Sequence, residues 1–285
     1  MSYRHAHHAG NFADVLKHTV MTAVLSRMLA RPKPLCYIES HAGAGVYRLD
    51  APAALQSRQA ETGILRLVDA APRSAVLATY LRLIAALPEN DAAMRAYPGS
   101  PLLAAGLLGD DDRLVLAELA PAEADALRHL FRHDDRVAVH CRDGWEALRA
   151  LLPPTPRRGL LLLDPPYEAA SDFRHVVDGL SLARRRWSVG VLAAWYPIKD
   201  RRTLRPFYAA LSSAGLGALL CVELSVRPDD NPAGLNGSGM VIAAPPFGLE
   251  ADLRALLDEL ASLVRQPGAP RPRVHWLTPP RSPSA

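Results

Sequence analysis

The stretch Leu160-Leu161-Leu162-Leu163-Asp164-Pro165-Pro166-Tyr167 constrains this chain most. Four consecutive leucines show no polar alternation, so they suit a strand buried on both faces, as in a parallel sheet. The run stops on a charge, which places Asp164 at the strand's carboxyl tip. Two prolines then hold two φ angles at about −65° and stiffen the exit turn. The Asp164 carboxylate, the Pro166 carbonyl and the Tyr167 ring are therefore expected in one fixed geometry. Two oxygen acceptors and an aromatic face match a planar exocyclic amine, which has two N–H donors and a π face. Alone, the same four residues also suit an ordinary strand-to-loop turn.

The rest of the chain sets this strand in a series. Ala13 to Leu29 has helical spacing and is stopped by Pro32 and Pro34. Strands are expected at Leu35–Ile38, Leu114–Ala117, Val137–Cys141, Val189–Ala194, Leu219–Leu224 and Met240–Ala244. Helical periods separate them: Ala104–Leu108, Ala122–Phe131, Trp145–Leu152 and Leu249–Val264. Such alternation predicts a parallel, doubly wound α/β sheet. Residues 49–95 are helical in period, with a break at Pro72. Pro267 to Ala285 is rich in Pro and Ser, and its last residues are expected to be mobile.

Composition narrows the classes. At 285 residues with 49% hydrophobic content, the chain can bury one large α/β core or two small ones. No apolar run is long enough for a transmembrane helix, and the start, MSYRHAHHAGNF, lacks a signal-peptide core. A cytoplasmic protein is expected, with Cys36, Cys141 and Cys221 as buried free thiols. The net charge of +4 hints at nucleic acid. Residues 1–33 hold Arg4, Lys17, Arg27, Arg31 and Lys33 against Asp14 alone, which accounts for the whole excess. Lysine occurs only at positions 17, 33 and 199, so arginine supplies nearly all the positive charge.

Polar residues stand at the ends of the first four expected strands, where ligands of open α/β sheets bind. Gly43-Ala44-Gly45 after the first lets backbone approach a ligand closely. Glu118 at the second can accept from both hydroxyls of a ribose. Asp143 beyond the third can accept from an adenine amine, and Asp164 ends the fourth. This order suits a nucleoside sulfonium followed by its substrate. Each residue has a plainer alternative: a turn for Gly43–Gly45, a helix partner for Glu118, a turn dipeptide for Asp143-Gly144. The full GxGxxG fingerprint is absent, which disfavours a nicotinamide enzyme. Pro98-Gly99-Ser100-Pro101 signals a helix start, with Ser100 as N-cap.

The DPPY run resembles motif IV of S-adenosylmethionine-dependent amino methyltransferases. YRHxxHAGNxADVLKH, SHAGAGVY, YPGSP, LAEL, RDGW, RRGLLLLDPPYE and WYPI together resemble the bacterial RlmJ family. The resemblance runs nearly end to end. It implies a Rossmann-like methyltransferase fold over 1–48 and 96–285 with a small helical insertion at 49–95. It also implies methylation of the exocyclic N6 amine of an adenine in large-subunit (23S) ribosomal RNA. Carried over position by position, the proton acceptor falls on Asp164, assisted by Pro166 and Tyr167. The S-adenosyl-L-methionine contacts fall on His18, His41, Ser100, Glu118, Asp143, Gly144 and Asp164. An RNA-contacting tyrosine falls on Tyr3. The expected partner is ribosomal RNA, with no metal, no membrane and a monomeric state. The rival readings are a DNA adenine-N6 methyltransferase and a non-catalytic nucleic-acid-binding module.

Overall fold

The computed structural model describes residues 8–91, 93–169, 171–229, 231–232 and 234–280. Ten strands are seen among these residues: β1 (Cys36–Glu39), β2 (Val46–Arg48), β3 (Ala96–Pro98), β4 (Arg113–Glu118), β5 (Val137–Cys141), β6 (Gly159–Leu163), β7 (Val191–Ile198), β8 (Leu219–Ser225), β9 (Gly237–Ala243) and β10 (Arg273–Thr278). The α-helices are α1 (Phe12–Leu29), α2 (Pro52–Ser57), α3 (Ala75–Ala85), α4 (Ser100–Leu107), α5 (Pro121–Leu130), α6 (Gly144–Leu151), α7 (Asp172–Arg186), α8 (Arg205–Ser213) and α9 (Leu249–Val264). None is long and apolar enough to cross a membrane.

Eight strands form one sheet in the order β10-β8-β9-β7-β6-β1-β4-β5. From β7 through β5 all neighbours are parallel. The expected wholly parallel sheet is corrected at the other flank. β9 pairs antiparallel with both β7 and β8, and β10 pairs antiparallel with β8. Residues 226–236, which join β8 to β9, are fewer than a parallel crossover needs, so β9 turns back. β10 falls inside the Pro-rich tail, whose hydrophobic pattern is too short to signal a strand.

The Leu160–Leu163 run behaves as its composition requires. Leu160 and Leu162 enter one core with α1, α4 and α9, while Leu161 and Leu163 enter a second with α6, α7 and α8. Alternating side chains reach both faces of a sheet covered by helices on both sides. Cys36 and Cys221 are buried as expected, but Cys141 is exposed because it ends the edge strand β5.

Residues 49–95 leave and re-enter the body through a small antiparallel ribbon of β2 and β3. Between them lie α2, α3 and short 3-10 turns, and Ile64, which has helical period in the sequence, stands in one of those turns. Ile64, Leu67, Leu77, Tyr80 and Ile84 join the same core as α1. This segment therefore packs on the body rather than forming a core of its own.

Candidate active site

β1 and β6 are neighbours, yet the chain leaves them in opposite directions, toward β4 and toward β7. Such a reversal opens a crevice beyond the strands' carboxyl ends. Asp164 follows β6 at this point, and Ser40 and His41 follow β1.

The crevice is entered by a charged, buried helix. Asn11 caps α1 with its side-chain oxygen on the N–H groups of Ala13 and Asp14. One turn in, Lys17 Nζ lies 2.6 Å from Asp164 Oδ2 and 2.9 Å from Asp14 Oδ1. The Lys17 and Asp14 side chains are 5% exposed, and that of Asp164 is 13% exposed. Burial alone would push the Lys17 ammonium down. Asp14 and Asp164 outweigh that penalty and hold it well above the usual lysine value. Two carboxylates and one ammonium leave this trio with a net negative charge.

Beside the trio lies a cavity of about 990 Å³. Lys17, Asp164, Pro166, Tyr167 and Trp195 are among its lining residues. The motif's three members thus meet on one wall. Tyr167 sits at φ 52°, a left-handed conformation that is strained for a bulky side chain. It is held there by its hydroxyl, which donates to the Trp195 carbonyl at 2.6 Å, and by ring contacts of 4.8 Å with Phe173 and 5.4 Å with Trp195.

The other expected contacts surround the mouths of β1, β4 and β5. Gly43 and Gly45 have φ of 62° and 81°, which explains glycine at both places. Glu118 accepts from Gly43 N through one oxygen and from Ala120 N through the other, both at 2.8 Å. It therefore ties the glycine loop to the entry of α5. Asp143 Oδ1 caps α6 by accepting from Trp145 N and Glu146 N at 2.9 and 3.0 Å. At Gly144 a Cβ would stand 2.2 Å from the Ser40 carbonyl, so glycine lets α6 meet the loop after β1. His41 shares a 2.7 Å hydrogen bond with Ser40 Oγ and meets Trp145 edge-on. Burial pushes its imidazole below the usual value despite Asp164 and Glu118 nearby.

Two residues turn inward. Gly99 rather than Ser100 occupies the N-cap of α4. The Ser100 hydroxyl instead donates to Glu39 at 2.5 Å, with Tyr37 donating to the same carboxyl at 2.8 Å. Burial raises Glu39 to about 8, although both hydroxyls oppose the shift. His18 Nδ1 is 2.8 Å from Tyr97 Oη, which bonds in turn to Tyr80 Oη. In this structure His18 faces β3 and α3 and does not line the cavity. Tyr3 lies outside the described residues.

Sequence reasoning missed the pairing of Lys17 with Asp164. Two signals set Lys17 apart, though neither names its partner. Asp14 and Lys17 stand one turn apart in an apolar helix, and lysine is rare in a chain that otherwise uses arginine.

A family model described as Ribosomal RNA large subunit methyltransferase D, RlmJ, matches residues 32–278. The chain belongs to the RlmJ family. It is 38% identical over 279 residues to the Ribosomal RNA large subunit methyltransferase J proteins of Haemophilus influenzae and Escherichia coli. Each alignment covers 98% of this chain and 99% of the relative. A crystal structure of a Legionella pneumophila protein matches with a TM-score of 0.84 at 30% identity, over 94% of this chain and 97% of that one. The RlmJ-family sheet described above is thus the α/β, Rossmann-like fold of methyltransferases.

Proposed function

We propose that this RlmJ-family chain methylates the exocyclic N6 amine of an adenine in large-subunit (23S) ribosomal RNA, using S-adenosyl-L-methionine. The observation that carries the reading is Asp164 at the sheet's reversal point, locked to buried Lys17 and sharing a cavity with Pro166 and Tyr167.

The residues present suit the cofactor. A glycine loop with two positive φ angles permits close backbone approach, and three polar side chains ring the strand mouths. His41, Glu118, Asp143 and Gly144 would hold the nucleoside end, with Ser100 and His18 supporting from beneath. When bound, S-adenosyl-L-methionine supplies an electrophilic sulfonium methyl group.

The protein's own part is orientation and charge. The target adenine must leave its stack to present its amine, at a cost of a few kcal/mol. Stacking on Tyr167 would recover about 1–3 kcal/mol. Asp164 and the Pro166 carbonyl accept the two amine hydrogens and aim the nitrogen lone pair. As the nitrogen becomes positive, the net negative trio of Asp14, Lys17 and Asp164 stabilises it. Lys17 fixes one Asp164 oxygen, so the carboxylate arrives oriented. Asp164 then receives the surplus proton. In this reading residues 49–95 are an insertion subdomain and Tyr3 touches RNA.

Mass mapping of methylated adenines tests the reading. Ribosomal RNA from a deletion strain should lack one N6-methyladenine, and this protein should restore it. Restoration on a DNA duplex instead of RNA, or none on either, would overturn the proposal.

A further inference from the structure

The cavity extends past the catalytic wall to two cations that the chemistry above does not use. Lys199 follows β7 and Arg227 follows β8, and both line the same cavity as Asp164. Their neighbours are instructive. Arg202 takes Asp200 at 2.8 Å. Arg201 takes Glu223, and Asp229 at 3.5 Å. Asp200, Glu223 and Asp229 are therefore engaged by other arginines. Among the described residues neither Lys199 nor Arg227 forms an ion pair, and the Arg227 guanidinium makes a single 3.1 Å hydrogen bond, to the Leu235 carbonyl.

A surface cation beside available carboxylates ordinarily pairs with one. Here the pairing is arranged so that two positive charges remain directed at one cavity. At about 990 Å³ the cavity stands at the upper end of the roughly 300–1,000 Å³ that small-ligand pockets span, room for more than one base. Trp195 and Pro197, on the strand that leads to Lys199, line the same cavity and offer it apolar surface. Positive charge beyond an aromatic floor is the pattern that tracks a single-stranded backbone.

We infer that Lys199 and Arg227 bind backbone phosphates flanking the flipped adenosine, holding the strand while the base enters toward Asp164. This inference rests on the functional reading above and adds the surface that receives the strand. The two cations act on the substrate and not on the cofactor.

The test uses the full-length protein and an RNA hairpin carrying the target adenine. For each neutralised single-strand phosphate, log affinity falls by about 0.7 per unit of log salt. Combining Lys199→Ala with Arg227→Ala should reduce that slope by about 1.4. It should raise KM for RNA at least tenfold, with S-adenosyl-L-methionine affinity unchanged. Arg254→Ala, which removes an exposed cation paired with Glu250 on α9, should leave the slope as it was. A hairpin with neutral methylphosphonates flanking the target should bind wild type weakly, with no further loss in the double variant. An unchanged slope, or additive losses, overturns the assignment. A wild-type protein that methylates no adenine in RNA overturns instead the reading beneath it.

Discussion

The carboxylates at the mouths of β4 and β5 and the carboxylate at the tip of β6 are held in different ways. Glu118 and Asp143 are fixed by backbone N–H groups, most of them within three residues. Asp164 is fixed by an ammonium 147 positions earlier in the chain. On the first side one carboxylate caps a helix or braces a loop, and in the proposed function it also meets the cofactor. On the second, a buried charge is balanced by another buried charge, and in the same proposal their surplus meets the substrate amine. The first arrangement is built locally and is cheap to keep. The second exists only once α1 has packed against the sheet, so it couples folding of the N-terminal helix to assembly of the site.

The largest effect should come from breaking the cross-chain pair. Lys17→Met leaves Asp14 and Asp164 buried without their cation, and loss of one partner of such a pair costs about 3–5 kcal/mol. Urea unfolding should show that loss, with turnover on RNA falling at least a hundredfold. A stable, active variant would make the two sides alike. Glu118→Ala should weaken S-adenosyl-L-methionine by about 1.5–3 kcal/mol for each charge-assisted hydrogen bond removed. Calorimetry on the folded variant checks this, and unchanged affinity would remove Glu118 from the cofactor side.

Glu39 lies beneath both sides and gives a pH signature. Its folded value of about 8 exceeds the ordinary 4.5, so the unfolded chain releases this proton first as pH rises. Its contribution to stability should therefore fall between about pH 4.5 and 8, by up to about 1.4 kcal/mol per unit, and level off above. Glu39→Gln should remove that slope. Thermal melts at pH 6, 7, 8 and 9 read it, and parallel curves for the two proteins would contradict it. The smallest effect belongs to Asp143→Ala, which loses a helix cap worth about 0.5–2 kcal/mol. Its S-adenosyl-L-methionine affinity should drop as well; a purely structural cap would leave that affinity intact.

The same contrast governs what could be read beforehand. Asp143-Gly144 reads as a turn ahead of the helix expected from Trp145, and Leu249–Val264 shows its period from end to end, because both depend on neighbours in sequence. The leucine run announces a strand buried on both faces. Lys17 with Asp164 could not be paired from sequence, since nothing local to either residue names the other. Ser100 illustrates the limit of a strong local signal: Ser-Pro reads as a cap, yet the buried Glu39 carboxyl captures the hydroxyl and Gly99 takes the cap. β10 escaped notice because its alternation, Arg273-Val274-His275-Trp276, is too short between prolines to signal a strand, and its pairing with β8 supplies the order. The three-residue strands β2 and β3 are likewise defined by each other.

The most direct test is Asp164→Ala, measured by single-turnover methyl transfer to the RNA hairpin and by calorimetry with S-adenosyl-L-methionine alone. The account predicts that methyl transfer is abolished while cofactor affinity stays within several-fold of wild type, because this carboxylate addresses the substrate amine. Near-normal turnover in that variant would contradict it.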